Sequence, residues 1–127
     1  MGPIRIITDH WPVVLHVWDG APTDAEVDAY IREATEILQR GVPHAVVMDA
    51  SRVTHASPYS RARKKAWLVE HEVLLRRHCV ATGVVLKSPL LRFISSTLML
   101  VRPFPTPYRV FESVEEAMVW AGRQLGR

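Results

Sequence analysis

Apolar positions along the chain change period several times, and the changes divide it into elements. RIIT, from Arg5, and VVLHVWD, from Val13, are runs rich in strand-forming residues. The DHWP between them is so short that the two must pair as an antiparallel hairpin. A helical period follows: Val27, Tyr30, Ile31, Ala34, Ile37 and Leu38 recur behind a capping box from Thr23 to Glu26, until Gly41 ends the pattern. HAVVMDA, from His44, is a nearly continuous apolar run, the mark of a strand buried on both faces. Ser57 before Pro58 reads as an N-cap with proline in the first helical position, opening a second helix that runs to about His78. VATGVVLK, from Val80, predicts a fourth strand, and Ser88 before Pro89 opens a third helix that Pro103 must end. YRVFES, from Tyr108, predicts the fifth strand. Ser113 to Glu116 is then a second capping box, ahead of a helix with Val114, Ala117, Met118, Ala121 and Leu125 on one face. The order β-β-α-β-α-β-α-β-α predicts one α/β domain over residues 1–127: a mixed sheet of about five strands, four helices and right-handed crossovers.

Two of these helices carry more apolar surface than one buried face needs. On a 3.6-residue wheel, Tyr59, Ala62, Ala66, Val69 and Val73 form a narrow stripe on the second helix, the one expected to face the sheet. Trp67, Leu68, His71, Leu74 and Leu75 form a separate arc. An exposed arc of this kind marks an interaction site, so it is read as the principal partner surface and as a homodimer seam. Arg63, Lys64 and Arg77 would form its polar rim and favour an acidic partner; the competing cover is the third helix of the same domain. On that third helix Leu90, Leu91, Ile94, Thr97, Leu98 and Val101 make the expected inward arc. Phe93 and Leu100 extend it on a shoulder that a neighbouring element, a ligand, a lipid surface or a partner would cover.

Composition narrows the function classes. The chain has 127 residues, 48% hydrophobic and 23% charged, enough to bury a core unaided and without the composition of a disordered tail. Cys79 is the single cysteine, which removes intrachain disulfides and cysteine-rich zinc sites. No signal-peptide pattern begins the chain, and no apolar stretch reaches the roughly 20 residues of a membrane span. The expectation is a soluble, cytoplasmic protein. Arg61, Arg63, Lys64, Lys65, Arg76 and Arg77 gather on the second helix within a net charge of +3. Without an aromatic-interleaved groove or a nucleic-acid module they read as a solvated face, not a nucleic-acid site. His10, His16, His44, His55, His71 and His78 include no HxH or HExxH pair, so no metal site is predicted. No GxGxxG or GxxxxGK[ST] follows a strand, and no cofactor is expected.

The loop after the third strand holds the densest candidate chemistry. Asp49, Ser51, His55, Ser57 and Ser60 bring a carboxylate, hydroxyls and an imidazole near the C-terminal end of a strand, where open α/β sheets place sites. Asp and Ser are equally the residues of turns and caps, and no GxSxG nucleophile elbow is present. The loop is therefore read as structural or regulatory, with no catalytic residue. Ser57 and Ser60 are the candidate phosphorylation sites, since free amides and the helix dipole favour a phosphate there. As a plain N-cap, Ser57 contributes about 1 kcal/mol.

AVVMDASRVTHASPYSR, from Ala45, and YRVFESVEEAMVWAGRQL, from Tyr108, together with the element order, resemble STAS domains. The likeness is strongest to their SpoIIAA-like relatives, which are sometimes grouped with SEC14-type lipid-binding domains. It runs in pattern from about Ile4 to Leu125. It implies a non-enzymatic role, as a phosphorylation-controlled docking module or a ligand- and membrane-linked regulatory domain. The antagonists resembled carry an Asp-Ser-Ser-Gly type motif where this chain has ASPYS, so the usual phosphoacceptor is not reproduced. The resulting expectation is a regulatory or scaffolding protein acting through protein–protein contact as a homo-oligomer. A carrier or sensor of a small apolar ligand or lipid is the alternative, and an enzyme using the loop comes third.

Overall fold

The computed structural model describes residues 3–101 and 103–126. Five strands, β1 (Ile4–Ile7), β2 (Val13–Gly20), β3 (His44–Val53), β4 (Cys79–Val85) and β5 (Tyr108–Phe111), form one sheet in the order β1-β2-β3-β4-β5. The helices are α1 (Asp24–Gln39), α2 (Pro58–Glu70), α3 (Glu72–His78), α4 (Pro89–Val101) and α5 (Val114–Leu125). β1 runs antiparallel to β2, and β2 through β5 are parallel.

Topology decides which face each helix covers. Parallel strands in chain order mean that every crossover steps the same way across the sheet, and right-handedness puts all crossover helices on one face. α1, α2, α3 and α4 share that face. Only α5, which follows the last strand, is free to cover the other. Strand alternation supplies both sides: Ala45, Val47, Ala81, Val85 and Phe111 pack against Ala117 and Ala121 of α5, while Trp18 and Met48 meet Val27, Tyr30, Ile31 and Ala34 of α1. Small residues let α5 lie close. A Cβ added to Gly83 would stand 3.4 Å from the Phe111 ring and 3.5 Å from that of Trp120.

Helix starts follow the chain's capping signals. Thr23 Oγ1 accepts the Glu26 N–H at 3.2 Å while Glu26 Oε1 accepts the Thr23 N–H at 2.8 Å. Ser57 Oγ and Ser113 Oγ each accept the N–H three residues on, at 3.0 and 3.2 Å. One expected helix is two, so the described residues contain five helices and not four. The break falls at His71. The Trp67 carbonyl accepts both the backbone N–H and Nδ1 of His71, each at 3.0 Å, and His71 leaves helical geometry at φ −110, ψ 19.

The bend and the neighbouring α1 reverse the face assignment on this segment. α2 lies on α1 through a polar seam: Ser57 Oγ donates to Asp24 at 3.0 Å, the Tyr59 hydroxyl to Asp28 at 2.6 Å and the Trp67 indole N–H to Thr35 Oγ1 at 2.8 Å. Arg63 also pairs with Asp28, at 3.3 Å. That seam turns Trp67 and Leu68 inward, and α3 then delivers Leu75 to the core at 5% exposure. Val69 and Val73, expected against the sheet, are 74% and 68% exposed. The arc expected to be a partner seam is thus largely occupied within its own domain.

α4 is also turned over relative to expectation. Arg92, Ser95 and Met99 are its half-buried positions. Arg92 donates to the carbonyls of Leu86 and Lys87 at 2.7 and 2.8 Å, holding the helix start to the end of β4. Leu90, Leu91, Ile94, Leu98 and Val101, the expected inward arc, are exposed, as are the shoulder residues Phe93 and Leu100 at 69% and 85%.

Candidate functional site

A cavity of about 360 Å³ lies on the crossover face, between the sheet and α1–α4. Its floor is the alternating side of the central strands: His16 from β2, Val46, Met48 and Ala50 from β3, Thr82 and Val84 from β4. α1 contributes Tyr30, Ile31 and Ala34; α2 and α3 contribute Lys64, Trp67, Leu68 and Leu75. Ser95 of α4, with Phe104 and Tyr108, closes the β5 side. Two causes leave the space open. α2 and α3 are bent at His71, and α4 faces the domain with Arg92, Ser95 and Met99 instead of its larger apolar arc.

Polar groups in this wall are few and mostly satisfied. His16 Nδ1 is hydrogen-bonded to the Tyr30 hydroxyl, and Trp18 meets the tyrosine ring edge-on at 4.8 Å. Burial pulls the His16 imidazole down to about 3 and pushes the Tyr30 phenol well above its ordinary value, so at neutral pH both are uncharged. Tyr30's proton has no other acceptor among the described residues, which makes it the donor to Nδ1 and leaves the histidine proton on Nε2. Thr82 Oγ1 bonds Thr106 Oγ1 at 2.9 Å, and Ser95 Oγ bonds the Tyr108 hydroxyl at 3.0 Å. The Cys79 thiol is raised by burial and stays protonated. Lys64 is half-buried, its Nζ 4.4 Å from the Trp18 ring centroid, and loss of water lowers its ammonium from the ordinary lysine value.

Several residues expected at a partner surface are therefore cavity residues: Trp67, Leu68, Leu75 and Lys64 line it. Leu74 packs half-buried in the cluster of Leu38, Leu75 and Cys79, His71 lies over the Trp67 ring at 5.1 Å, and Arg63 is engaged with Asp28. Ser57 is half-buried, tied to Asp24 and to the Ser60 N–H; a phosphate there would confront the Asp24 carboxylate. Ser60 is 2% exposed, which keeps its hydroxyl from any modifying enzyme while the domain is folded. The loop's other candidates do not converge. Asp49 Oδ1 accepts from the Ser51 amide and hydroxyl at 3.0 and 2.6 Å, a local turn, and His55 is exposed away from any such bond among the described residues.

His16, Tyr30 and Tyr108 were not singled out from the sequence as site residues. A usable signal existed for one of them: in VVLHVWD, period-two alternation sets His16 between Val14 and Trp18 on a single strand face, an unusual place for an imidazole. On the opposite face of the sheet, Arg109, Phe111, Glu115, Trp120 and Arg123 border an open trough of about 380 Å³ with charges of both signs. Its walls come from β5 and α5, with Phe111, Val119 and Trp120 as the apolar part.

No protein-family model matches the chain, and no curated protein matches it in sequence. Among solved structures it is similar to an uncharacterized protein of the DUF3478 family from Shewanella loihica PV-4, described as having a SpoIIAA-like fold. That similarity has a TM-score of 0.73 and 12% identity, and covers 93% of this chain and 91% of the other. The parallel β2–β5 sheet, the three crossovers on one face and the closing α5 are thus the SpoIIAA-like fold that the resemblance to STAS domains implied.

Proposed function

We propose that this chain is a non-enzymatic binding domain that holds a small apolar molecule in the crossover-face cavity. The carrying observation is the wall, in which Val46, Met48, Trp67, Leu68, Leu75 and Val84 surround a few fixed polar groups. That is the composition of ligand pockets, and about 360 Å³ is within their usual range of roughly 300–1,000 Å³. The lining also argues for an apolar occupant, because a wall of this kind offers water few hydrogen-bond partners. The shifted groups support binding over proton transfer, because burial moves His16, Tyr30 and Cys79 away from titration near neutrality.

A second reading, contact with another protein or a second copy of the chain, is favoured by α4. Its exposed apolar arc is more than a soluble domain ordinarily shows. The two readings are compatible, since α4 presents Ser95 to the cavity and the arc to solvent. Occupancy sensed by α4 would then be the regulatory step.

Uptake of the apolar fluorophore 1-N-phenylnaphthylamine tests the cavity. Ala50→Phe, which places a ring in the cavity, should weaken uptake by about tenfold, or about 1.4 kcal/mol, with the far-ultraviolet spectrum unchanged. Equal uptake by both proteins would remove the cavity as the binding place and leave α4's surface.

A further inference from the structure

Resting on the cavity reading above, we propose that the molecule held there is an apolar acid, a single-chain amphiphile whose carboxylate lies beside Lys64. Lys64 is the one charged side chain in the cavity wall among the described residues. Of the two half-buried cations on α2, Arg63 has Asp28 as its partner. Lys64 has no carboxylate within 4.0 Å among the described residues. Its ammonium is held over the Trp18 ring instead, and the charge of another cation, Arg61, acts against it.

A half-buried ammonium with no counter-ion is an unfavourable arrangement, and the face of an indole offsets only part of the lost hydration. An anion delivered with the ligand would complete it. The charge count favours a monoanion, because the other ionisable groups of the wall are neutral at physiological pH. A dianionic phosphate would bring one charge more than the wall can match. His16 supplies a directional partner: with Tyr30 donating to Nδ1, its Nε2–H, which has no acceptor among the described residues, would donate to a carboxylate oxygen. The remainder of the wall, Met48, Trp67, Leu75 and Val84, suits a hydrocarbon tail.

The test compares decanoate with 1-decanol, which share a tail and differ in the head, below the concentration at which either aggregates. Calorimetric titration at pH 7.5 into the wild-type protein should give decanoate about tenfold tighter than decanol. Lys64→Met should bring the two within about twofold by weakening decanoate alone. Lys64→Arg, which keeps the charge, and Lys65→Met, at an exposed neighbour, should each preserve the preference. Decanol binding as tightly as decanoate to the wild type overturns the carboxylate assignment and leaves the cavity reading standing. A preference that survives Lys64→Met overturns Lys64 as its source. If neither compound binds, the cavity reading fails as well. The wild-type comparison needs no variant, so poor folding of Lys64→Met would not shield the proposal.

Discussion

Lowering the pH from 7 to 4.5 should destabilise the protein by about 2 to 3 kcal/mol through His16 alone. The imidazole is 6% exposed, and burial, with His44, holds it at about 3 against an ordinary 6.5. Its folded pKa lies below its unfolded one, so the unfolded chain takes up the proton first. The stabilisation is complete above about 6.5, declines as the pH falls through that value, and is exhausted near 3, at about 1.4 kcal/mol per pH unit between. His44 is lowered by burial too and adds a smaller dependence of the same sign. Urea unfolding of the wild type and His16→Gln from pH 7 to 4.5 isolates the effect. The variant should lose close to one proton's worth of slope; identical slopes would mean that His16 is hydrated or charged in the folded protein.

Leu75→Ala and Val73→Ala, two positions apart, should differ by about 2 to 4 kcal/mol in unfolding free energy. Leu75 packs with Leu38 and Cys79 beneath α3 at 5% exposure, and its truncation removes methyl groups from a wall that cannot collapse onto the cavity. Val73 is 68% exposed and its truncation should stay within about 0.5 kcal/mol. Denaturant melts of both variants decide it. A costly Val73→Ala with a harmless Leu75→Ala would restore the opposite face assignment.

What was legible in the chain was local. Capping boxes at Thr23 and Ser113 and the Ser-Pro starts at Ser57 and Ser88 each act over three or four residues, and all four recur as helix starts in the structure. The run HAVVMDA is a central strand, flanked by β2 and β4. Helix faces were less legible, for two physical reasons. A wheel carried from Tyr59 to Leu75 assumes one straight axis, and His71 bends it by drawing its ring nitrogen onto the Trp67 carbonyl. The wheel on α4 assumes that the most apolar arc faces inward, whereas the guanidinium of Arg92, bonded to the strand-end carbonyls and 3.6 Å from Glu112, orients that helix. The cavity was least legible of all. It takes one to three residues from each of nearly every element, from His16 to Tyr108, and no window of sequence contains its pattern.

Trp67 and Trp120 place a reporter on each side of the sheet, and their indole N–H resonances test the central claim most directly. Trp67 lines the cavity with its N–H on Thr35; Trp120 packs against Phe111 on the α5 face, 5.5 Å between ring centroids. In a proton–nitrogen correlation spectrum, titration with 1-decanol should shift the Trp67 indole peak saturably and leave that of Trp120 in place. A saturable shift at Trp120 with Trp67 unmoved, or no saturable shift at either up to the solubility limit, would contradict a ligand cavity on the crossover face.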